Sequence, residues 1–106
     1  MELKQIEYFC AVARLGSFTK AADECFVSQS AISQQIKALE ADFECELVAR
    51  QGRSFTLTPA GECLARRGKE LLDAAHALRG EVSDIALGRP GSLRVGYLNR
   101  YDGWEL

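Results

Sequence analysis

Apolar positions along the first half of the chain recur at helical spacing, interrupted three times by residues that end one helix and start another. Leu3, Ile6, Phe9, Cys10 and Ala13 stand three and four positions apart and predict an amphipathic helix of about 14 residues. Gly16 closes it, because glycine readily adopts the left-handed conformation that ends helices. Ser17 follows as an N-cap, its hydroxyl placed to accept from the free amides of a second, short helix over residues 18–25. The buried face of that helix is Phe18, Ala21, Ala22 and Cys25. After the break Phe26-Val27, Ser28 offers another N-cap and a third helix runs over residues 29–42. Ile32, Ile36, Leu39 and Phe43, with Ala31 in part, form its apolar face. Its other face, Gln29, Ser30, Ser33, Gln34 and Lys37, is polar, mostly neutral and short-chained, where a merely solvated helix tends to carry Glu and Lys. Residues 47–50 and 55–57 are β-prone runs, and Gln51-Gly52-Arg53-Ser54 between them predicts a hairpin.

Thr58-Pro59 opens a fourth helix, with threonine as N-cap and proline at the first helical position, where its missing amide costs nothing. The pattern continues to about Leu87, and Gly88-Arg89-Pro90-Gly91 stops it. Such a helix is roughly 43 Å long, too long to pack throughout on so small a domain, so it is expected to project. It carries a heptad repeat: Leu64, Leu71, Leu78 and Ile85 share one position, and Gly61, Gly68, Ala75 and Val82 fall three residues before each. A small-residue side beside a Leu/Ile side argues for a partner helix at close range. A homodimer seam is the favoured reading, and packing on a further domain of the same chain is its alternative. Residues 92–97 predict a single strand, which cannot be stable alone. The expected organisation is therefore a mainly α, winged helix-turn-helix domain over 1–58, with three helices and a two-stranded β wing. A dimerisation helix over 59–88 follows, then a hinge and first strand over 89–106.

Composition narrows the function classes. With 106 residues and 47% hydrophobic positions, a packed core is available and wholesale disorder is excluded. No apolar run approaches the roughly 18 residues that span a bilayer. The N-terminus lacks the basic-then-apolar order of a secretion signal, so a cytoplasmic location is expected, with no membrane partner. Cys10, Cys25, Cys45 and Cys63 lie 15, 20 and 18 residues apart, without the close pairs of a zinc site. They read as free thiols packing like small apolar side chains. His76 stands alone on the last helix and reads as a surface or seam residue. No metal and no cofactor are expected.

Charge argues the other way from a nucleic-acid binder. The net charge is −2, and residues 1–58 hold six basic and eight acidic side chains. Any contact with DNA must then come from a local arrangement of few cations, with Glu40, Asp42, Glu44 and Glu46 turned away from the duplex. The order of elements supports such an arrangement. A short helix, a tight turn and a polar-faced helix is the device that enters the major groove. Gln pairs bidentately with adenine, and Ser bonds several base edges, which suits Gln29, Ser30, Ser33 and Gln34 to readout. Lys37 suits a phosphate, Arg53 at the hairpin tip a minor groove, and Arg50 at the base of the wing the DNA backbone. Ser17 and Thr19, at the start of the second helix, suit phosphates. Each alone is also what an ordinary solvated surface carries; the ordered set carries the inference.

The segments Ser17-Phe18-Thr19-Lys20-Ala21-Ala22, Val27-Ser28-Gln29-Ser30-Ala31-Ile32-Ser33, Gln35-Ile36-Lys37-Ala38-Leu39-Glu40 and Leu57-Thr58-Pro59-Ala60-Gly61 closely resemble the LysR-type transcriptional regulators. The resemblance extends over about residues 1–96. It implies an N-terminal winged helix-turn-helix, a linker helix paired with that of a second subunit, and a C-terminal effector-sensing domain of periplasmic-binding-protein type. Residues 93–96 resemble the first strand of that domain. The resemblance also implies DNA contacts from Gln29, Ser30, Ser33, Gln34 and Arg53. Three departures stand out: many members have proline at the position of Ser30, arginine at that of Gln34, and glycine at that of Glu44. A left-handed backbone at Glu44 would cost on the order of 1–2 kcal/mol. Beyond the first effector-domain strand nothing follows, so the chain is expected to be truncated, to take no small-molecule ligand itself and to stop at dimers. The expected partners are double-stranded DNA and a second copy of the chain, with an effector only in the full-length protein. Two rivals are a protein-binding module and a redox sensor built on Cys25 or Cys45. An enzyme is disfavoured, because paired carboxylates, a His-Cys arrangement and a phosphate-cradling loop are all missing.

Overall fold

A computed structural model describes residues 1–88; the hinge and strand expected over 89–106 lie outside the described residues. The element order is α1 (Leu3–Leu15), α2 (Phe18–Cys25), α3 (Gln29–Phe43), β1 (Val48–Gln51), β2 (Ser54–Leu57) and α4 (Pro59–Ala86). Two compact units divide the chain, Met1–Lys69 and a second beginning at Glu70.

Each boundary has a local cause. The Gln5 side chain accepts from the Glu2 amide at the start of α1 (2.9 Å), and Gly16 ends that helix at φ 65° with its amide on the Val12 carbonyl. Ser17 Oγ accepts from the Lys20 amide at 3.0 Å and Ser28 Oγ from the Ala31 amide at 3.1 Å, so both predicted serine caps form. Thr58 does two things at once: its Oγ1 accepts from the Gly61 amide at 3.0 Å and donates to the Glu46 carbonyl at 2.7 Å. The cap of α4 is thereby tied to the connection between α3 and β1.

Among the described residues, two non-glycines take the left-handed conformation, Phe26 (φ 60°) and Glu44 (φ 57°), each ending a helix. The departure at Glu44 is thus accommodated by strain rather than by a different ending. Its amide reaches the carbonyls of Ala41 and Glu40. Substituting Glu44→Gly should raise stability by about 0.5–1 kcal/mol, the relief of left-handed strain less the added freedom of the unfolded chain. Chemical denaturation of both proteins measures it; an unchanged midpoint would show that the site is not strained.

The core of the first unit draws on Ile6, Phe9 and Val12 of α1, Phe18, Ala21 and Ala22 of α2, Ile32, Ile36 and Leu39 of α3, and Leu47 and Val48 at the wing. Phe43 departs from the expected apolar face. It is the last residue of α3 and remains 43% exposed, because the helix ends there. The wing pairs antiparallel, Val48 with Leu57 and Arg50 with Phe55, leaving Gly52-Arg53 as a two-residue tip. Gly52 takes φ 62°, the positive value that glycine supplies at such turns. A lone hairpin is marginal in water, and this one is anchored by its side chains. Phe55 meets Phe18 edge to face with ring centroids 5.2 Å apart, and the Arg50 guanidinium sits 4.6 Å above the same Phe18 ring.

Gly61 and Gly68 of α4 are buried. A Cβ on Gly61 would lie 2.1 Å from the Leu47 carbonyl oxygen, and one on Gly68 would lie 2.9 Å from Ile6 Cγ2 and 3.2 Å from Cys10 Sγ. Gly68 was expected in the partner seam, with Gly61 at the same heptad position. Both instead face their own domain, where only glycine admits such close approach. α4 spans 28 residues, about 42 Å, and Gly88 follows its end at φ 69°.

Candidate nucleic-acid interface

The polar face of α3 is open. Gln29, Ser30, Gln34 and Lys37 are exposed and Ser33 half-exposed, and the five together line a shallow concavity of about 480 Å³. A second cavity of about 240 Å³, between α3 and the wing, is lined by Ser33, Ile36, Lys37, Glu40, Glu46, Val48 and Arg50. Ser33 and Lys37 border both, so the α3 face and the base of the wing make one continuous surface. Arg50 belongs to it. Its stacking on Phe18 limits the orientations of a long side chain, which lowers the entropy lost when it binds an anion.

The other predicted contacts divide. Arg53 is exposed at the wing tip beside Gly52. Thr19 Oγ1 donates to Gln29 Oε1 at 3.1 Å, so Thr19 braces the glutamine from α2. Gln29 keeps its amide protons and a second lone pair for a base edge. Ser30 Oγ lies 3.3 Å from Ser28 Oγ at the start of α3. Ser17, expected at phosphates, has its hydroxyl oxygen engaged in capping α2.

Several acidic residues of the domain have structural duties. Glu40 Oε2 accepts from the Leu47 amide at 2.8 Å and the Val48 amide at 3.3 Å. Asp42 pairs with the N-terminal ammonium at 2.7 Å, and Glu24 pairs with Arg14. Sequence reasoning missed Glu40 and Phe18 as parts of the interface scaffold. Phe18 was legible only as a core residue and Glu40 only as a surface charge.

On α4, Leu71 and Leu78 are 42% and 55% exposed, while Leu64, Ala75, Val82 and Ile85 are half-buried. The uncovered part of the heptad stripe therefore begins after Gly68. All four cysteines are free thiols. Burial pushes the Cys10 thiol up, only partly offset by Arg14 and Lys69. Burial, with Glu24 and Glu7, does the same at Cys25. Both shifts deplete the thiolate that redox chemistry needs. Among the described residues no cluster of His, Cys, Asp and Glu is placed to hold a metal ion, and no helix is long and apolar enough to cross a membrane.

Comparison with known proteins agrees with this geometry. The transcriptional activator CmpR of a Synechocystis species is 38% identical over 93 residues, 88% of this chain but 31% of CmpR, so the chain spans under a third of that relative. The regulator BudR of Klebsiella aerogenes is 40% identical over 96 residues, covering 91% of this chain and 67% of BudR. Among solved structures, the DNA-binding domain of BenM in complex with catB site 1 DNA superposes with a TM-score of 0.79 at 35% identity, over 83% of this chain and 95% of that one. Residues 3–62 match the bacterial regulatory helix-turn-helix proteins of the lysR family. The winged helix-turn-helix built from α1 to β2 is thus the hallmark of a lineage, and the chain belongs to the LysR family of transcriptional regulators.

Proposed function

We propose that this chain binds double-stranded DNA sequence-specifically as a homodimer on a two-fold-related site, regulating transcription from the cytoplasm. The observation that carries the reading is the open α3 face: Gln29, Ser30, Ser33, Gln34 and Lys37 form a polar surface continuous with the base of a wing whose tip bears Arg53. In this reading residues 1–58 are the DNA-binding domain and 59–88 the dimerisation helix, with Leu64, Leu71, Ala75, Leu78, Val82 and Ile85 toward the partner. Residues 89–106 lead into an effector domain that acts only in the longer protein. That CmpR is a transcriptional activator and that the BenM domain binds DNA favour regulation over catalysis.

α3 reads bases and the wing supplies charge. Gln29→Ala should relax discrimination at one base position by about 1–3 kcal/mol, while Arg53→Ala should weaken binding to all sequences and reduce the salt slope by about one. Selection of bound sequences from a random DNA pool, followed by titration of the selected site and of mismatched sites, measures both effects. Equal losses on every sequence for Gln29→Ala would remove it from base readout. No shift of any genomic fragment at low salt would favour the protein-binding alternative.

A further inference from the structure

We propose that Glu40 is a positioning residue that sets the angle of the wing against α3, and through it the registry of Arg53 with DNA; this rests on the DNA-binding reading above. Glu40 sits in the last turns of α3 and continues the recognition face toward the wing, lining one cavity with Ser33 and Lys37. Its carboxylate reaches past the end of the helix to the amides of Leu47 and Val48, at 2.8 and 3.3 Å on the same oxygen. Those amides open the wing. Leu47 and Val48 as whole residues are 2% and 7% exposed, so water has little access to replace a lost acceptor. Orphaned buried amides are rare and costly, which makes this carboxylate the joint between two elements that share few other bonds.

The opposite side of the same segment is gripped as well. Thr58 donates its hydroxyl to the Glu46 carbonyl, and its amide bonds the Leu47 carbonyl at 3.1 Å. Residues 46–48 are therefore a fulcrum held by α3 on one side and by the start of α4 on the other. The Phe18 stack restrains the wing toward α2, whereas Glu40 restrains it toward α3. Arg53 lies five residues beyond Val48, about 16 Å along an extended strand. A swing of roughly 10° at the base moves the tip by about 3 Å, half the ~6 Å width of a minor groove. Small errors at the joint thus become loss of contact at the tip. Nothing comparable reaches Gln29, which rides on α3 itself.

The experiment has two arms on the intact chain. Amide hydrogen exchange should show protection of Leu47 and Val48 falling roughly tenfold in Glu40→Ala and largely retained in Glu40→Gln, whose carbonyl oxygen still accepts both bonds. In DNA titrations the penalty of Arg53→Ala should shrink severalfold in the Glu40→Ala background, while the penalty of Gln29→Ala stays the same. Should Glu40→Ala fail to fold, Glu40→Asp serves in both arms, since it withdraws the carboxylate by one methylene. Unchanged exchange at Leu47 and Val48 overturns the proposal, as does an Arg53→Ala penalty equal in both backgrounds. If Arg53→Ala costs nothing in the unmodified chain, the reading of the wing as a DNA contact fails first and takes the proposal with it.

Discussion

Replacing Gly61 with alanine is expected to lower the melting temperature by roughly 10–20 °C, a loss of about 3 kcal/mol, although alanine is the better helix former. The added methyl group would lie 2.1 Å from the Leu47 carbonyl oxygen, 3.0 Å from its carbon and 3.4 Å from its Cα. All three are backbone atoms, so no side-chain rotation relieves the overlap. The same carbonyl accepts from the Thr58 amide, and Leu47 donates its own amide to Glu40. Moving the strand away from α4 therefore breaks the bonds that seat the wing. Gly80 provides the control. A Cβ there meets nothing within 4 Å, so Gly80→Ala should stabilise by about 1 kcal/mol on helix propensity alone. Thermal unfolding of the two variants at one protein concentration separates these effects. A Gly61→Ala protein as stable as the parent would show that α4 does not sit against Leu47 at this distance.

Introducing aspartate at Leu78 is expected to weaken the dimer about a thousandfold or more and, with it, binding to a two-fold-related site. Leu78 is 55% exposed and Leu71 42%, while their helix carries an unbroken heptad stripe. In a symmetric seam one substitution acts twice. Removing two buried leucines costs about 4 kcal/mol before the burial of two like charges is added, and 4 kcal/mol corresponds to about three powers of ten in Kd. Sedimentation equilibrium reads the dimer constant and a gel shift reads the DNA consequence. The core residues of α1 to α3 are untouched, so the helical signal should remain. A Leu78→Asp chain that stays dimeric would move the seam to another surface.

Helix order, caps and turn residues were legible from local pattern. Ser17, Ser28, Thr58-Pro59 and Gly16 act within a few residues of themselves, and their roles do not depend on distant packing. The polar face of α3 was equally legible, because helical periodicity alone separates Gln29, Ser30, Ser33, Gln34 and Lys37 from Ile32, Ile36 and Leu39. The heptad stripe of α4 was visible too, but its partners were not. A glycine three residues before a leucine looks the same whether it faces a second copy or its own domain.

That ambiguity marks the division between chain and fold in this protein. Its residues by themselves determined which segments are helical, which surface stays polar and, to within a residue or so, where each element begins and ends, since those properties come from neighbours three or four positions away. Only tertiary structure decided that Gly61 and Gly68 press against Leu47 and α1, that Phe18 carries Arg50, and that Glu40 reaches forward to hold the wing. Those are meetings of groups from separate elements, governed by close contact and by the need of buried polar atoms for partners, and no periodicity encodes which groups will meet.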